Sequence, residues 1–292
     1  MIWLIGNKGM LGTELSLLLE QNNIPFIGTD REVDITDPAA LRDFASSHPV
    51  NWIINCAAYT AVDKAEDDEV ACRLLNTSGP ANIAAAARDK GARLIHISTD
   101  YVFDGTGNRP YTEEDATCPT GVYGSTKRDG ELAVIENNPH FYIIRTAWLY
   151  GKHGNNFVHT MLRLMNEREE IKVVHDQYGS PTWAFDLAQV IISLMQQVDG
   201  THNIPCGIYH YTGEGTCTWF EFAQAIYAEG KSLNLLTKPC TVKPCTSAEY
   251  PAKVKRPAYS VLDKTKTKSI MRIIIPAWND SLRSFLQGHD NS

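Results

Sequence analysis

The run Gly6-Asn7-Lys8-Gly9-Met10-Leu11-Gly12 constrains this chain more than any other feature, because it joins the apolar segment Ile2 to Ile5 directly to a helical pattern. Glycines lack the β-carbons that would keep a pyrophosphate away from the backbone, and a helix start offers N–H groups and a partial positive charge. An ordinary tight turn could use the same glycines. Placed between a strand and a helix, they predict a dinucleotide site lined by Gly6, Gly9, Met10, Leu11 and Gly12.

A strand of this kind needs partners. Pro25 to Gly28, Trp52 to Cys56, Arg93 to Ile97 and Phe141 to Ile144 are further apolar runs of strand length, and they alternate with helical patterns as repeated βαβ units do. Met10 to Gln21 carries Leu11, Leu15, Leu18 and Leu19 at helical spacing. Asp37-Pro38 reads as an N-cap followed by proline at the first helical position, and the alanine-rich stretch Asn76 to Lys90 ends at Gly91, a left-handed cap. The expected fold class is α/β, a Rossmann-type doubly wound parallel sheet with a smaller C-terminal substrate-binding lobe. Past Thr146 the alternation loosens into short pieces such as Ile171 to Val174 and Ile208 to Tyr211. The dinucleotide-binding domain is therefore placed at residues 1–146 and the lobe at 147–292, with segments of the lobe returning to the sheet. The charged run Lys264 to Lys268 reads as a solvated face or loop.

Composition narrows the function classes. With 43% apolar and 21% charged residues among 292, the chain has an ordinary globular make-up. No apolar run approaches the roughly 20 residues that span a bilayer, so no membrane partner is expected. The N-terminus passes straight into the glycine loop without the regions of a signal peptide, which predicts a cytoplasmic location. Seven scattered cysteines, none in C-x-x-C, predict neither disulfides nor a zinc site. A net charge of −7 offers no field for nucleic acid, so the expected partner is a small molecule. Against that average, Lys238, Lys243, Lys253, Lys255 and Arg256 cluster as a candidate anion site.

The G-x-x-G-x-x-G spacing resembles the extended branch of the short-chain dehydrogenase/reductase superfamily. Asp30 follows the second strand, where a carboxylate would accept the adenosine ribose hydroxyls of NADH. Arg31 beside it could instead neutralise the 2′-phosphate of NADPH, so both coenzymes stay open. Two solvated turn charges would read the same way. Asp34-Ile35 reads as the pair that meets the adenine, and Asn55-Cys56-Ala57-Ala58-Tyr59-Thr60 as the strand end lining the pyrophosphate and nicotinamide ribose, where the small Ala57 and Ala58 permit close approach.

Y-x-x-x-K is weak alone: twelve tyrosines and fourteen lysines in this chain give about 0.6 chance matches, and two copies occur. Tyr227-Lys231 has no hydroxyl-bearing strand end before it and reads as packing or surface. Tyr123-Gly124-Ser125-Thr126-Lys127 follows the strand ending Ser98-Thr99-Asp100, and its two members share a helix face. A phenol with pKa near 10 is a poor acid at neutrality. Lys127 is expected to lower it, Tyr123 to exchange a proton with a carbonyl oxygen, and Thr99 to hold that oxygen.

These residues, with Ala57 to Glu66, Ser98 to Gly105, Val122 to Lys127, Arg145 to Trp148, Gly154 to Phe157, Asp176 to Thr182 and Arg256-Pro257, resemble the dTDP-4-dehydrorhamnose reductase family nearly end to end. The resemblance implies reduction by NADPH or NADH of the C4 keto group of a dTDP-4-keto-6-deoxyhexose, dTDP-4-dehydrorhamnose giving dTDP-L-rhamnose for cell-surface polysaccharide. It makes Thr99, Tyr123 and Lys127 the catalytic group. Thr99, Asp100 and Trp148 would meet the sugar, Asn156 would lie on the substrate side, and Arg256 would meet the nucleotide diphosphate. Some members dimerise through a carboxylate-built magnesium site. Here Trp183-Ala184-Phe185 follows Pro181-Thr182, with an aromatic residue in place of a glutamate, and Glu14 alone makes no cage. No metal is expected, and the chain is expected to be a monomer or a metal-independent homodimer.

Two other readings share the fold. A non-catalytic dinucleotide-binding regulatory subunit, such as the reductase-like subunit of methionine adenosyltransferase, need not keep Thr99, Tyr123 and Lys127 together. Sugar-nucleotide dehydratases place an Asp-Glu pair after the threonine, whereas Asp100 is followed by Tyr101. Epimerases hold NAD permanently, so purification without bound coenzyme would argue for a reductase.

Overall fold

Side chains that alternate between two buried faces build the central sheet. In β1 (Ile2–Ile5), Ile2 and Leu4 join one apolar cluster while Trp3 and Ile5 join another on the opposite face. The same division runs through β3 (Trp52–Asn55), where Trp52 and Ile54 face away from Ile53, and through β5 (Phe141–Thr146), where Tyr142 and Ile144 face away from Ile143. With β2 (Phe26–Thr29), β4 (Arg93–Thr99) and an edge strand Gly207–His210, these form six parallel strands. The structure, a computed structural model, describes residues 1–200, 202, 204–250 and 252–288. The last four residues of the expected lobe, 289–292, lie outside the described residues.

The strand order is Gly207–His210, β5, β4, β3, β1, β2. It reverses direction between β1 and β3, and at such a switch point the loops leaving the two strands part and open a crevice at their carboxyl ends. Strand β4 runs two residues past the expected Ile97, with Ser98 opposite Arg145 and Thr99 opposite Thr146. Ladder pairing therefore fixes the polar end of β4.

The helices are α1 (Met10–Gln21), α2 (Pro38–Ser47), α3 (Val62–Ala65), α4 (Glu69–Arg73), α5 (Gly79–Lys90), α6 (Val122–Asn137), α7 (Phe157–Glu167), α8 (Ala184–Asp199), α9 (Trp219–Ser232), α10 (Thr265–Met271) and α11 (Trp278–Leu286). Leu11 and Leu15 of α1 and Ile191 of α8 cover one face of the sheet, and Leu41 of α2, Ile83 of α5 and Val134 of α6 the other. The Asp37 carboxylate caps α2 by accepting from Ala39 N at 2.8 Å and Ala40 N at 3.2 Å, and Gly91 ends α5 at φ +70°. The stretch expected to be one helix from Asn76 begins instead with a π-helical turn, Leu74–Ser78, before α5.

Beyond Thr146, short strands pair with one another: Glu170–Val174 with Thr241–Cys245, Tyr178–Gly179 with Cys217–Thr218, and Leu149–Tyr150 with Thr182–Trp183. From the same half, α8 and Gly207–His210 join the main sheet. The expectation that Lys264 to Lys268 is merely solvated is corrected. Lys264 is buried and donates to Gly213 O at 3.2 Å, Lys266 donates to Ile208 O at 2.8 Å, and Thr267 Oγ1 donates to His210 O at 2.7 Å. The segment caps carbonyls of the edge strand and the turn after it, and its lysine stems lie along the protein while the ammonium groups find acceptors.

Candidate active site

Gly6 and Gly12 are demanded by the protein itself. A β-carbon on Gly6, at φ +76°, would stand 2.7 Å from Ala57 N, and one on Gly12 would stand 2.1 Å from Gly6 O. Gly9 differs, since its β-carbon would meet only Gly6 O, at 3.4 Å. Gly9 is the N-cap of α1, and no side chain caps that end. Open space, a bare helix start and no acid in the first turn make a cradle that fits a pyrophosphate.

Around the cradle, Asp30 is half-buried and Arg31 exposed at the end of β2. Asp34 Oδ1 accepts from Thr36 N and Thr36 Oγ1, both at 2.8 Å, closing a turn. Ile35 is buried in the cluster of α2 and α5, and Asn82 holds its carbonyl at 3.1 Å. Ala57, Ala58 and Tyr59 are half-buried and Thr60 exposed after β3. Asn55, within the expected strand end, and Asn76, missed by sequence reasoning, hold this segment. Asn55 Oδ1 accepts from Ala57 N at 3.0 Å, while Asn76 brackets Tyr59 by accepting its N–H at 2.8 Å and donating to its carbonyl at 3.0 Å. Asn76 sits in the π-turn, which no local pattern announces.

Helix α6 begins beside Tyr123. Glu66 Oε1 accepts from Val122 N at 2.8 Å and supplies the cap that Gly121 lacks. A β-carbon on Gly124 would stand 2.2 Å from Tyr101 O, so this glycine lets α6 lie directly on the chain leaving β4. Tyr123 thereby comes to lie beside Thr99 and meets Tyr101 edge to face, with ring centroids 5.4 Å apart. Thr99 Oγ1 also donates to Asp100 Oδ1 at 3.0 Å and accepts from Tyr101 N at 3.2 Å. Lys127, buried to 2% exposure, donates to Ile97 O at 2.7 Å and lies 3.5 Å from His96 Nε2.

Burial dominates the electrostatics here. It pushes the Tyr123 phenol well above its ordinary value, and the neighbouring Thr99 hydroxyl recovers only part. The expectation that Lys127 lowers the phenol is therefore corrected, because the Lys127 hydrogen bond goes to Ile97 and the phenol keeps its proton. Burial also brings Lys127 down to about 8 and raises Asp100 to about 6 against the hydrogen bond from Thr99. Such an arrangement can give a proton to an oxygen that is gaining negative charge.

On the substrate side, Trp148 sits at the strained φ of +49° and stacks on Trp219 with centroids 3.5 Å apart; its ring fills the space where Gly179 lacks a β-carbon. Asn156 caps α7 by accepting from His159 N at 3.1 Å and donates to Gly151 O at 2.7 Å, so its amide is engaged within the loop. Arg256 binds the Asp63 carboxylate and lies against the Tyr101 hydroxyl. Its neighbours in the basic segment are also paired, Lys253 with Asp67 and Lys243 with Glu170. The segment is thus largely neutralised, and an anion arriving at Arg256 competes with Asp63. The second Y-x-x-x-K lies on α9, with Tyr227 packed against the core and Lys231 exposed. All seven cysteines are free thiols. Among the described residues no three His, Cys, Asp or Glu side chains gather to hold a metal ion, and no helix is long and apolar enough to cross a membrane.

A dTDP-4-dehydrorhamnose reductase of Streptomyces griseus is 44% identical over 91% of this chain and 87% of its own length. A dTDP-4-keto-6-deoxy-D-glucose reductase of Streptomyces niveus is 41% identical over 96% and 94%. The solved dTDP-4-dehydrorhamnose reductase of Bacillus anthracis, in complex with NADP, superposes with a TM-score of 0.91 at 36% identity, covering 98% of both chains. The family model described as RmlD substrate binding domain matches residues 1–290, and the chain belongs to this family of dTDP-4-dehydrorhamnose reductase homologues.

Proposed function

We propose that this chain uses NADPH or NADH to reduce the C4 keto group of a dTDP-4-keto-6-deoxyhexose, converting dTDP-4-dehydrorhamnose to dTDP-L-rhamnose. The observation that carries this is the placement of a Tyr123 phenol, kept protonated by burial, beside Thr99 at the end of β4. Gly6, Gly9, Met10, Leu11 and Gly12 would hold the coenzyme pyrophosphate, Asp30 and Arg31 its adenosine end, and Lys127 its nicotinamide ribose. The bound coenzyme supplies a hydride to the C4 carbon. Tyr123 gives its proton to the C4 oxygen as that oxygen gains charge, Thr99 holds the oxygen in place, and an alcohol results. Trp148 and Asp100 would border the sugar and Arg256 the diphosphate. Rhamnose is the finer part of this reading, because the family contains reductases of other dTDP-4-keto sugars. The reading includes no structural metal and a monomer or metal-independent dimer.

The test is to mix the protein with NADPH or NADH and enzymatically made dTDP-4-keto-6-deoxy sugar, follow loss of nicotinamide absorbance, and identify the product by NMR. Consumption with rhamnose formed supports the whole proposal, and another C4 alcohol retains only its coarser part. No consumption with either coenzyme overturns it in favour of a non-catalytic dinucleotide-binding subunit.

A further inference from the structure

A buried chain of polar groups runs from the strand end after β3 to Lys127, and its direction is set by one backbone amide. Ala57 N can only donate, so the Asn55 atom 3.0 Å away is its carbonyl oxygen. The Asn55 amide nitrogen then faces His96 Nδ1 at 3.0 Å, and that ring nitrogen must accept. A neutral imidazole that accepts at Nδ1 carries its proton on Nε2. His96 Nε2 lies 3.5 Å from Lys127 Nζ, so the chain presents an N–H to the lysine. An ammonium has no lone pair to receive it, whereas an amine can accept from His96 while still donating to Ile97 O at 2.7 Å.

We propose that His96, oriented through Asn55 by the Ala57 backbone, is a positioning residue that favours the amine form of Lys127 and so sets the pH at which this lysine exchanges its proton. The other groups facing Lys127 offer little opposition. Cys56, after β3, has its thiol pushed to about 12 by burial, and Cys72 of α4 is also raised, so both are neutral near pH 7. Glu131, one turn along α6, is held by Arg145 through bonds of 2.7 and 2.9 Å. Tyr123, one turn earlier, keeps its proton. His96 is buried and held neutral by burial and by the lysine itself. No unpaired negative charge among these groups holds the ammonium, and burial and the His96 N–H act in the same direction.

The inference rests on Lys127 serving the reductase site, but it is read on the lysine and the histidine directly. In full-length protein labelled with 13C-lysine and 15N-histidine, the Lys127 Cε signal, identified by its loss in Lys127→Arg, is expected to titrate near 8. The His96 ring is expected to be neutral with its proton on Nε2. His96→Gln can turn its amide oxygen toward Lys127, and Asn55→Ala frees the ring to take the other tautomer. Both should move the Lys127 midpoint up by about one pH unit, a tenfold change in proton affinity. A proton on Nδ1 in the unaltered protein, or an unmoved midpoint in either folded variant, overturns the proposal. The tautomer measurement decides even where the variants do not fold. A moved midpoint in a protein that reduces no sugar would retain this inference and sink the reductase reading; normal turnover with an unmoved midpoint would do the reverse.

Discussion

Glu131 and Arg145 meet as a two-pronged buried ion pair, with Arg145 Nη2 2.7 Å from Glu131 Oε2, Nε 2.9 Å from Oε1, and both side chains 3% exposed. The pair ties α6, one turn past Lys127, to β5 opposite Ser98. Arg145 also lies 5.1 Å over the Phe103 ring. Removing one partner leaves the other charge buried and uncompensated, which costs about 3–5 kcal/mol. Glu131→Gln and Arg145→Met should each show that loss in urea unfolding. Glu131→Leu combined with Arg145→Met should recover much of it, because neither charge then remains buried. Single losses below about 1 kcal/mol would contradict the argument.

The last two glycines of the loop should separate folding from coenzyme binding. In Gly12→Ala the new methyl would stand 2.1 Å from Gly6 O, against backbone that cannot move aside cheaply. Stability and coenzyme affinity should fall together. In Gly9→Ala the methyl meets nothing closer than 3.4 Å, so the melting temperature should change little. Coenzyme affinity should nevertheless drop at least about tenfold, because the methyl occupies the open side of the helix start. Fluorescence titration with NADPH beside thermal melts checks both, and unchanged affinity in Gly9→Ala would remove Gly9 from the proposed cradle.

Tyr123→Phe removes the proton donor while keeping the ring against Tyr101. Turnover should fall by about 10²–10⁴, with the dissociation constant for NADPH nearly unchanged. Since burial holds the phenol protonated, turnover of the unaltered protein should show no loss between pH 6 and 8 that traces to Tyr123. Single-turnover kinetics in both proteins measures this, and a Phe variant of normal rate would end the catalytic assignment.

The sequence made legible what is local. The glycine loop, the apolar run of β1, the Asp37 cap and the left-handed Gly91 each depend on neighbours within a few residues, and each is found where expected. What escaped is long-range. Gly207–His210 is a short piece whose place at the sheet edge comes from pairing with β5, more than sixty residues earlier. Lys264 resembles a surface charge until its acceptors in the Thr212-Gly213 turn are brought to it. Asn76 and His96 carry no motif, because their roles arise only where β3, β4 and the π-turn meet. The direction of the Tyr123 shift was misjudged for the same reason: spacing shows that Lys127 is near, but not that burial outweighs it.

Acid stability should depend on His210. Its Nδ1 lies 3.1 Å from Tyr111 O and its Nε2 3.4 Å from Arg145 Nη1, so Nδ1 carries the proton and Nε2 accepts. Burial, helped by the Arg145 charge, lowers His210 to about 3. An unfolded chain takes up this proton near pH 6.5, and the folded protein only near 3. Between those values the unfolded state binds more protons, so stability that is complete above pH 6.5 is lost as pH falls toward 3. Each such histidine contributes a slope approaching about 1.4 kcal/mol per pH unit, and buried His96 acts in the same direction. In His210→Gln the amide can donate to Tyr111 and accept from Arg145 without titrating. Urea unfolding at pH 4, 5, 6 and 7 should therefore give a shallower dependence in the variant, and parallel curves for the two proteins would show that His210 is not the group that senses acid.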